Sequence, residues 1–472
     1  MQQFYGRQQE LNKLEFLTKK HTASLAVIKG RRRIGKSRLI EQFCTKYQHY
    51  IFIGQPPSLG FDGQQEREDF AHQLSRQLQI PTPRADDWGD LLWHLSDRVK
   101  KGRVVIVLDE INWLGHRDAS FLGKLKSAWD LCFSKNPKLI LILSGSLTGW
   151  IERNILHHTG FVGRISLDLT LKELPLADCH LFWKQTRQWS NYDKFKLLTI
   201  TGGVPRYLEE ILLDLDAEQN IRRMCFEPEG YLFNEFEQIF SDLFSQRNAI
   251  YHNLLELLIN GPLELNDIYQ ALKVEKSGLI GEYLNDLSKA GFITRDYTWK
   301  INSGRESKLS RYRVSDNYLR FYLKYIKLNR RRIERDTIKR LPALDSILGL
   351  QFENLVLNNR QKLFELLGLD VDDIVYDNPF FQNKTLRQKG CQIDYMIQTR
   401  FNVLYIFEVK YHKTPISPTI ITEVKEKVDR LLLPKNFSYR HGLIHVNGVS
   451  SKVIDSDFFN FIIDFSKFLN HS

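Results

Sequence analysis

Cysteine is scarce and unpaired in this sequence. The 472 residues hold five, Cys44, Cys132, Cys179, Cys225 and Cys391, widely scattered and without a Cys-x-x-Cys pair. Such spacing argues against a disulfide framework or a zinc site and fits buried free thiols in a reducing compartment. Long apolar runs are missing too. The longest, such as 104–108 and 139–143, have the length of buried strands, far short of the roughly 20 residues that cross a bilayer. The first seven residues, Met1 to Arg7, lack the apolar stretch of a signal peptide, so a cytoplasmic location with no membrane partner is expected. Internal repeats and low-complexity segments are also absent.

What remains has ordinary globular composition, 42% hydrophobic and 26% charged, in a chain long enough for about two to four domains. The formal net charge of +11 favours an anionic partner, DNA first, against the alternative of a merely basic surface.

Residues 1–165 alternate short apolar strands with helical stretches. Strands are expected at 24–29, 50–53, 104–108 and 139–143, with a helix at 38–46. Near-continuous apolar strands spaced by helices imply a parallel α/β sheet covered on both faces. After the first strand comes Gly30-Arg31-Arg32-Arg33-Ile34-Gly35-Lys36-Ser37. A Gly-x-x-x-x-Gly-Lys-Ser loop between strand and helix wraps phosphates with backbone N–H groups. Gly30 and Gly35 permit that path, Lys36 reaches the β- and γ-phosphates, and the Ser37 hydroxyl joins the Mg²⁺ shell. Arg33, Ile34 and Arg38 complete the expected cofactor contacts. The strand 104–108 delivers Asp109 to the metal and Glu110 as the general base that polarises the attacking water. ATP and Mg²⁺ are therefore the expected cofactors. Ser144-Gly145-Ser146 ends the next strand; either serine is placed to sense the γ-phosphate, or the three form an ordinary strand-to-loop turn.

These motifs carry a family resemblance. Phe4-Tyr5-Gly6-Arg7-Gln8-Gln9-Glu10-Leu11 resembles the Gly-Arg-x-x-Glu-Leu box of archaeal-type AAA-related ATPases close to the STAND group. The phosphate loop, Ser144-Gly145-Ser146, Gly163-Arg164 and Gly202-Gly203-Val204-Pro205 look like the successive motifs of the same family, in order over essentially the whole chain. The resemblance implies an additional-strand P-loop fold with a helical lid. It also implies that Gly6, Arg7 and the turn ending in Pro205 lie near the nucleotide. Arg164 reads as an arginine finger or sensor, or as a surface salt-bridging residue.

Residues 166–240 look helical, without strong strands, and serve as the lid. Residues 241–317 read as three helices, 249–259, 266–272 and 277–290, then a two-stranded wing, which is a winged helix-turn-helix pattern. The third helix carries Glu282 and Asp286 and a single basic residue, Lys289, which is poor for approaching phosphates. A protein-docking role competes with DNA reading there. Residues 318–344 form a basic helical connector in which Arg320, Lys324, Lys327 and Arg331 interleave with Tyr318, Phe321, Tyr322 and Tyr325. The aromatics either grip a nucleic acid backbone together with the bases or form the packed face of the helix.

Residues 345–472 read as a last α/β domain. Asp394 in Gln392-Ile393-Asp394-Tyr395 and Glu408 in Ile406-Phe407-Glu408-Val409-Lys410 flank a hairpin turn at 399–402. Pairing the strands sets the carboxylates side by side, and alternation puts Lys410 on the face of Glu408. Asp394 and Glu408, with Glu353 on the preceding helix, suit Mg²⁺ through hard oxygen ligands, and the metal would activate water at a phosphodiester. Asp394, Glu408 and Lys410 are the expected catalytic residues. The set resembles the PD-(D/E)XK nuclease superfamily, with its restriction-endonuclease-like fold; the bland alternative is a cross-strand salt-bridge cluster. Lys425 and Lys427, on a later helix, read either as phosphate contacts or as a solvated face. The whole reads as an ATP-hydrolysing, DNA-acting protein with a nuclease gated by the ATPase. Its rival is a nucleotide-driven switch with an inactive nuclease-like domain, working with a homo-oligomeric or other protein partner.

Overall fold

A computed structural model of the chain describes every residue except 1–2, 57–61, 116–117, 147, 185–188, 245–247, 339–342, 387, 432 and 471–472. Lys339 and Arg340 of the basic connector therefore lie outside the described residues. The chain forms two compact units, residues 1–172 and 173–472.

In the first unit five parallel strands, β1 (Ser24–Lys29), β2 (Gln48–Ile53), β3 (Val104–Asp109), β4 (Ile140–Gly145) and β5 (Ile165–Thr170), stand in the order β2-β3-β4-β1-β5. The central strands β1, β3 and β4 are buried along their whole length, which is why they read as unbroken apolar runs. β4 separates β1 from β3, so the end of β4 lies between the phosphate loop and the acidic end of β3. The segment 166–240 was expected to lack strands, and β5 corrects this. It is an edge strand whose residues alternate, Ile165-Ser166-Leu167-Asp168-Leu169-Thr170, and most of it is only partly buried. Its weak apolar signal follows from having one neighbour, and the first compact unit runs on past it to Lys172.

The second unit opens with helices. Among them, Asn191–Thr201 stops at Gly202, where φ is 57°. That positive φ favours glycine, and a side chain there would also push against the Glu173 carboxylate, 2.7 Å away. Val204 then caps the helix Pro205–Glu209, with Pro205 in its first position, where a missing N–H costs nothing.

Helices Asn248–Leu258, Leu265–Leu272 and Gly278–Lys289 follow. They accompany an antiparallel sheet of β6 (Leu263–Glu264), β7 (Ile293–Lys300) and β8 (Arg305–Val314), in the order β6-β8-β7. The connector is the helix Asn317–Phe321, a π-helical turn Tyr322–Ile326 and the helix Lys327–Glu334. Tyr318, Phe321, Tyr322 and Tyr325 are all buried, and Tyr322 stacks on Phe236 at 4.3 Å. The aromatics are thus the packed face and not a strip for nucleic acid. Arg320 goes inside with them, fully buried, donating to the carbonyl of Val314 at 2.8 Å.

The last sheet runs β13-β12-β11-β10-β9, built from β9 (Ile374–Gln382), β10 (Cys391–Thr399), β11 (Val403–Val409), β12 (Ser438–His445) and β13 (Phe461–Asp464). β9, β10 and β11 pair antiparallel; β12 and β13 continue parallel to β11. Two helices, Asp345–Asn358 and Arg360–Leu367, precede it where a single helix near 351–366 was expected; Asn359 leaves helical geometry between them. One apolar core runs from Leu174 to Leu469 through the helices, the connector and one face of this sheet, and a second, with Trp299, Ile393, Ile406, Val424 and Leu443, lies on its other face.

Candidate functional site

The phosphate loop joins β1 to the helix Lys36–Cys44, which starts from Gly35 at φ 91°, a conformation that glycine adopts without strain. Arg33 also takes a left-handed backbone, φ 66°. The Lys36 side chain folds back over the loop, donating to the carbonyls of Gly30 at 2.9 Å and Arg31 at 3.2 Å. Burial lowers its pKa, against the opposing pull of Glu110 and Asp109. A buried ammonium resting on carbonyls is a cation held for an anion. Arg38 instead pairs with Glu41 at 3.4 Å on the exposed side of the helix. Ile34 is buried and offers only its backbone.

The end of β3 meets this loop. Ser37 Oγ donates to Asp109 Oδ2 at 2.8 Å, and Ser144 Oγ donates to Asp109 Oδ1 at 2.6 Å. Glu110, at φ 48°, accepts at Oε2 from the backbone N–H of Ser146 at 3.2 Å and from its hydroxyl at 3.0 Å. Each serine at the end of β4 therefore holds one of the two acids, so the pair acts as a positioning frame. Asn112 was missed by the sequence reading. It is 1% exposed and neither amide atom has a partner among the described residues, so it keeps unmet hydrogen-bonding capacity beside the acids. Its only sequence signal is proximity to Asp109-Glu110.

The Gly6-Arg7 box is drawn to the same loop. Arg7 is 4% exposed and donates to the carbonyl of Ile34 at 3.1 Å and to that of Lys172 at 2.5 Å, while Glu10 holds its other nitrogen at 3.0 Å. It thus clasps the phosphate loop from behind. Arg164 is taken up in a bidentate pair with Asp130, at 2.7 and 3.0 Å, the surface salt-bridging arrangement. Gly202 to Pro205 belong to the second unit.

Comparison with known proteins agrees with this geometry. Residues 4–211 match the family described as an ATPase domain predominantly from Archaea. The amino-terminal part of this chain is an archaeal-type P-loop ATPase domain. Over 363 residues, 75% of this chain and 76% of the relative, the sequence is 25% identical to an uncharacterized protein of Methanocaldococcus jannaschii. Among solved structures, the Walker-type ATPase of Pyrococcus abyssi is similar in fold, with TM-score 0.50 and 18% identity, covering 68% of this chain and 96% of that one. The ORC2 protein of Aeropyrum pernix matches more loosely, with TM-score 0.43 and 13% identity over 71% of this chain and 96% of that one. Among the described residues no helix is long and apolar enough to cross a membrane.

Beyond the ATPase domain, the carboxyl-terminal sheet builds a second charged cluster. Tyr395 pairs with Phe407, which sets Asp394 next to Glu408, and the Val409 N–H donates to Asp394 Oδ2 at 2.9 Å. Glu408 is 2% exposed and Lys410 reaches its Oε1 at 2.9 Å. Lys427 bonds both Glu408 oxygens, at 2.7 and 2.6 Å, and lies 3.8 Å from Asp394. The sequence left open whether Lys427 was solvated; the structure puts it in the cluster, because its helix turns Val424 and Val428 inward on either side of it. Lys425 lies against the Phe458 ring instead, at 5.3 Å.

Burial raises the Asp394 carboxyl to about 6, helped by the Glu408 charge and resisted by Lys427. Glu353 rises to about 8, through burial first and then the charge of Asp394, against the pull of Arg313 and Arg320. Burial would lower the Lys410 pKa, but the carboxylates of Glu408, Asp394 and Glu423 more than reverse it. Among the described residues no three His, Cys, Asp or Glu side chains are already gathered around a metal position. Glu408, buried and ionic, is balanced by two ammonium groups where a three-carboxylate shell was expected.

Proposed function

We propose that the chain is an ATP-hydrolysing, DNA-acting protein whose carboxyl-terminal sheet is a metal-dependent nuclease domain of the PD-(D/E)XK type, gated by the ATPase. In the ATPase domain, Lys36 neutralises phosphate charge, Ser37 and Asp109 are the residues that would hold Mg²⁺, and Glu110, aimed by Ser146, orients the attacking water. Three helices with the β6-β8-β7 sheet form a winged helix that, with the lid and the turn ending in Pro205, relays the nucleotide state.

The observation that carries the nuclease reading is the juxtaposition of Asp394 and Glu408 across β10 and β11, with Lys410 and Lys427 on Glu408. Their oxygens are hard donors, and the Asp394 carboxyl, raised by burial first and by the Glu408 charge second, sits where a divalent cation would favour the ionised form. Asp394 and Glu408 would hold such a cation, with Glu353 adding field; bound there, it supplies activated water. Lys427 and Lys410 would then be released to neutralise the phosphodiester.

The test is cleavage of plasmid and single-stranded DNA with Mg²⁺ or Mn²⁺, with and without ATP. Metal-dependent cleavage that falls at least about 100-fold in Glu408→Ala supports the reading. The Lys36→Ala result shows whether ATP gates it. A second reading has its own observation: both Glu408 oxygens are occupied by lysine. In that reading the domain is an inactive nuclease-like platform of a nucleotide-driven switch that binds DNA or a protein partner. Normal ATP hydrolysis with no cleavage under any condition would select it.

A further inference from the structure

A second concave surface adjoins the acidic pair. It lies between β8, the end of β9, the start of β10 and the end of the helix Thr419–Val428, and its volume is about 410 Å³. Among the described residues four basic ones line it, Arg311, Lys384, Lys427 and Arg430, and no Asp or Glu does. Lys427 is shared with the acidic cluster, so one side chain lines the cleft and pairs with Glu408.

Arg311 comes from the β7–β8 hairpin, outside the last sheet. Trp299 of the same hairpin fixes that placement, donating to Gln398 Oε1 at 2.6 Å and stacking on Tyr376 at 4.6 Å. The Arg311 guanidinium lies over the Phe381 ring at 4.4 Å, which sets its plane. Its polar contacts are all long: Gln392 at 3.3 Å, Asn383 at 3.4 Å and Glu264 at 3.6 Å. It is thus oriented by long contacts that an oxyanion could replace with shorter, charge-assisted ones. The floor is preorganised as well. The buried Gln382 amide donates to the carbonyls of Lys389 at 2.8 Å and Arg430 at 2.7 Å, tying the loop after β9 to the end of the helix. The cleft therefore joins an aimed arginine, two exposed bases and a lysine already on the acidic pair.

We propose that this cleft is a phosphodiester subsite that holds the strand of a nucleic acid next to the Asp394–Glu408 pair, with Arg311, Lys384 and Arg430 as its anion contacts. The proposal rests on the DNA-acting part of the reading above and not on cleavage. It makes the hairpin a contributor to the carboxyl-terminal site, since Arg311 arrives from β8.

The test uses the full chain in EDTA, where no metal-dependent cleavage occurs. Binding of short labelled single-stranded and duplex DNA is followed by fluorescence anisotropy across a salt series. Arg311→Gln, Lys384→Gln and Arg430→Gln should each weaken binding several-fold and shrink the salt slope by about one phosphate contact. Lys425→Gln should bind as the unaltered chain does. Lys384 is exposed, so its variant keeps the test open if Arg311→Gln unfolds, which thermal melting would reveal. Unaltered DNA binding in all three variants overturns the cleft and leaves the DNA-acting reading standing. No DNA binding by the unaltered chain overturns both. Inorganic phosphate that raises the melting temperature of the unaltered chain but not of Arg311→Gln, without DNA binding, would overturn the nucleic-acid assignment in favour of a free anion. Cleft-dependent binding with no cleavage once Mg²⁺ is restored supports the cleft while the nuclease reading falls.

Discussion

On the proposed reading, Lys36 and Glu110 are the residues whose removal separates binding from chemistry. Lys36→Ala removes the buried cation of the loop, and nucleotide affinity and hydrolysis should fall together. Glu110→Gln keeps the shape of the side chain but not the base. ATP binding by equilibrium titration should persist while turnover falls about 10²- to 10⁴-fold. The carboxyl-terminal acids make a different prediction. Asp394 rises from 3.8 to about 6 and Glu353 from 4.5 to about 8. Both are protonated more readily in the folded chain, so each stabilises the fold at low pH, and that contribution is lost as pH rises towards 6 and then 8. Melting temperature should therefore decline over that window, and Glu353→Gln should flatten the upper part of the decline. Mg²⁺ needs ionised oxygens, so the stabilisation it brings should be larger near pH 8 than near pH 5; the same shift at both would argue against Asp394 and Glu408 as its ligands. At this scale the sequence spoke clearly where chemistry demands a fixed spacing, as in Gly30 to Ser37 and Asp109-Glu110. It was silent on Asn112 and ambiguous on Lys427, whose roles depend on which face of a helix packs inward.

Elements decide between readings that charge and aromatic content left open. The segment around Arg320 looks like a basic, aromatic grip, yet its rings are core and its arginine is inside. Two nitrogens of Arg320, Nε and Nη1, have no partner among the described residues, and burial pulls its pKa down to about 9, helped by the neighbouring charge of Arg313. Arg320→Met should leave DNA affinity unchanged in an anisotropy titration, since an apolar chain of similar length suits that site; a several-fold loss would return the arginine to the surface. Gly202→Ala is expected to cost about 1–3 kcal/mol, because alanine would have to adopt a positive φ against Glu173, and thermal melting reads that directly. Central strands were legible because burial on both faces makes them continuously apolar. β5 was not, because an edge strand with one neighbour carries an alternating pattern.

At the scale of the whole molecule, the chain forms two compact units. Patterning marks the ends of elements but says little about which apolar faces meet. Residues from Leu174, Phe236, Tyr318, Phe352 and Phe465 all enter one core. A fragment of residues 173–472 should therefore melt in one cooperative transition, followed by circular dichroism. A fragment of residues 345–472 should bind a hydrophobic dye and aggregate, its partners gone; a soluble, cooperatively folded product would contradict the shared core.

That shared core has a consequence for how such a protein can change over generations. A domain with an interior of its own can be cut out and spliced elsewhere like a cassette. Here the sheet bearing Asp394 and Glu408 completes its interior with side chains from the helices around Phe195 and from the connector at Tyr318. It can be inherited only with those neighbours, so substitutions on either side must be tolerated jointly, and the sheet cannot be exchanged for another without rebuilding the middle of the chain.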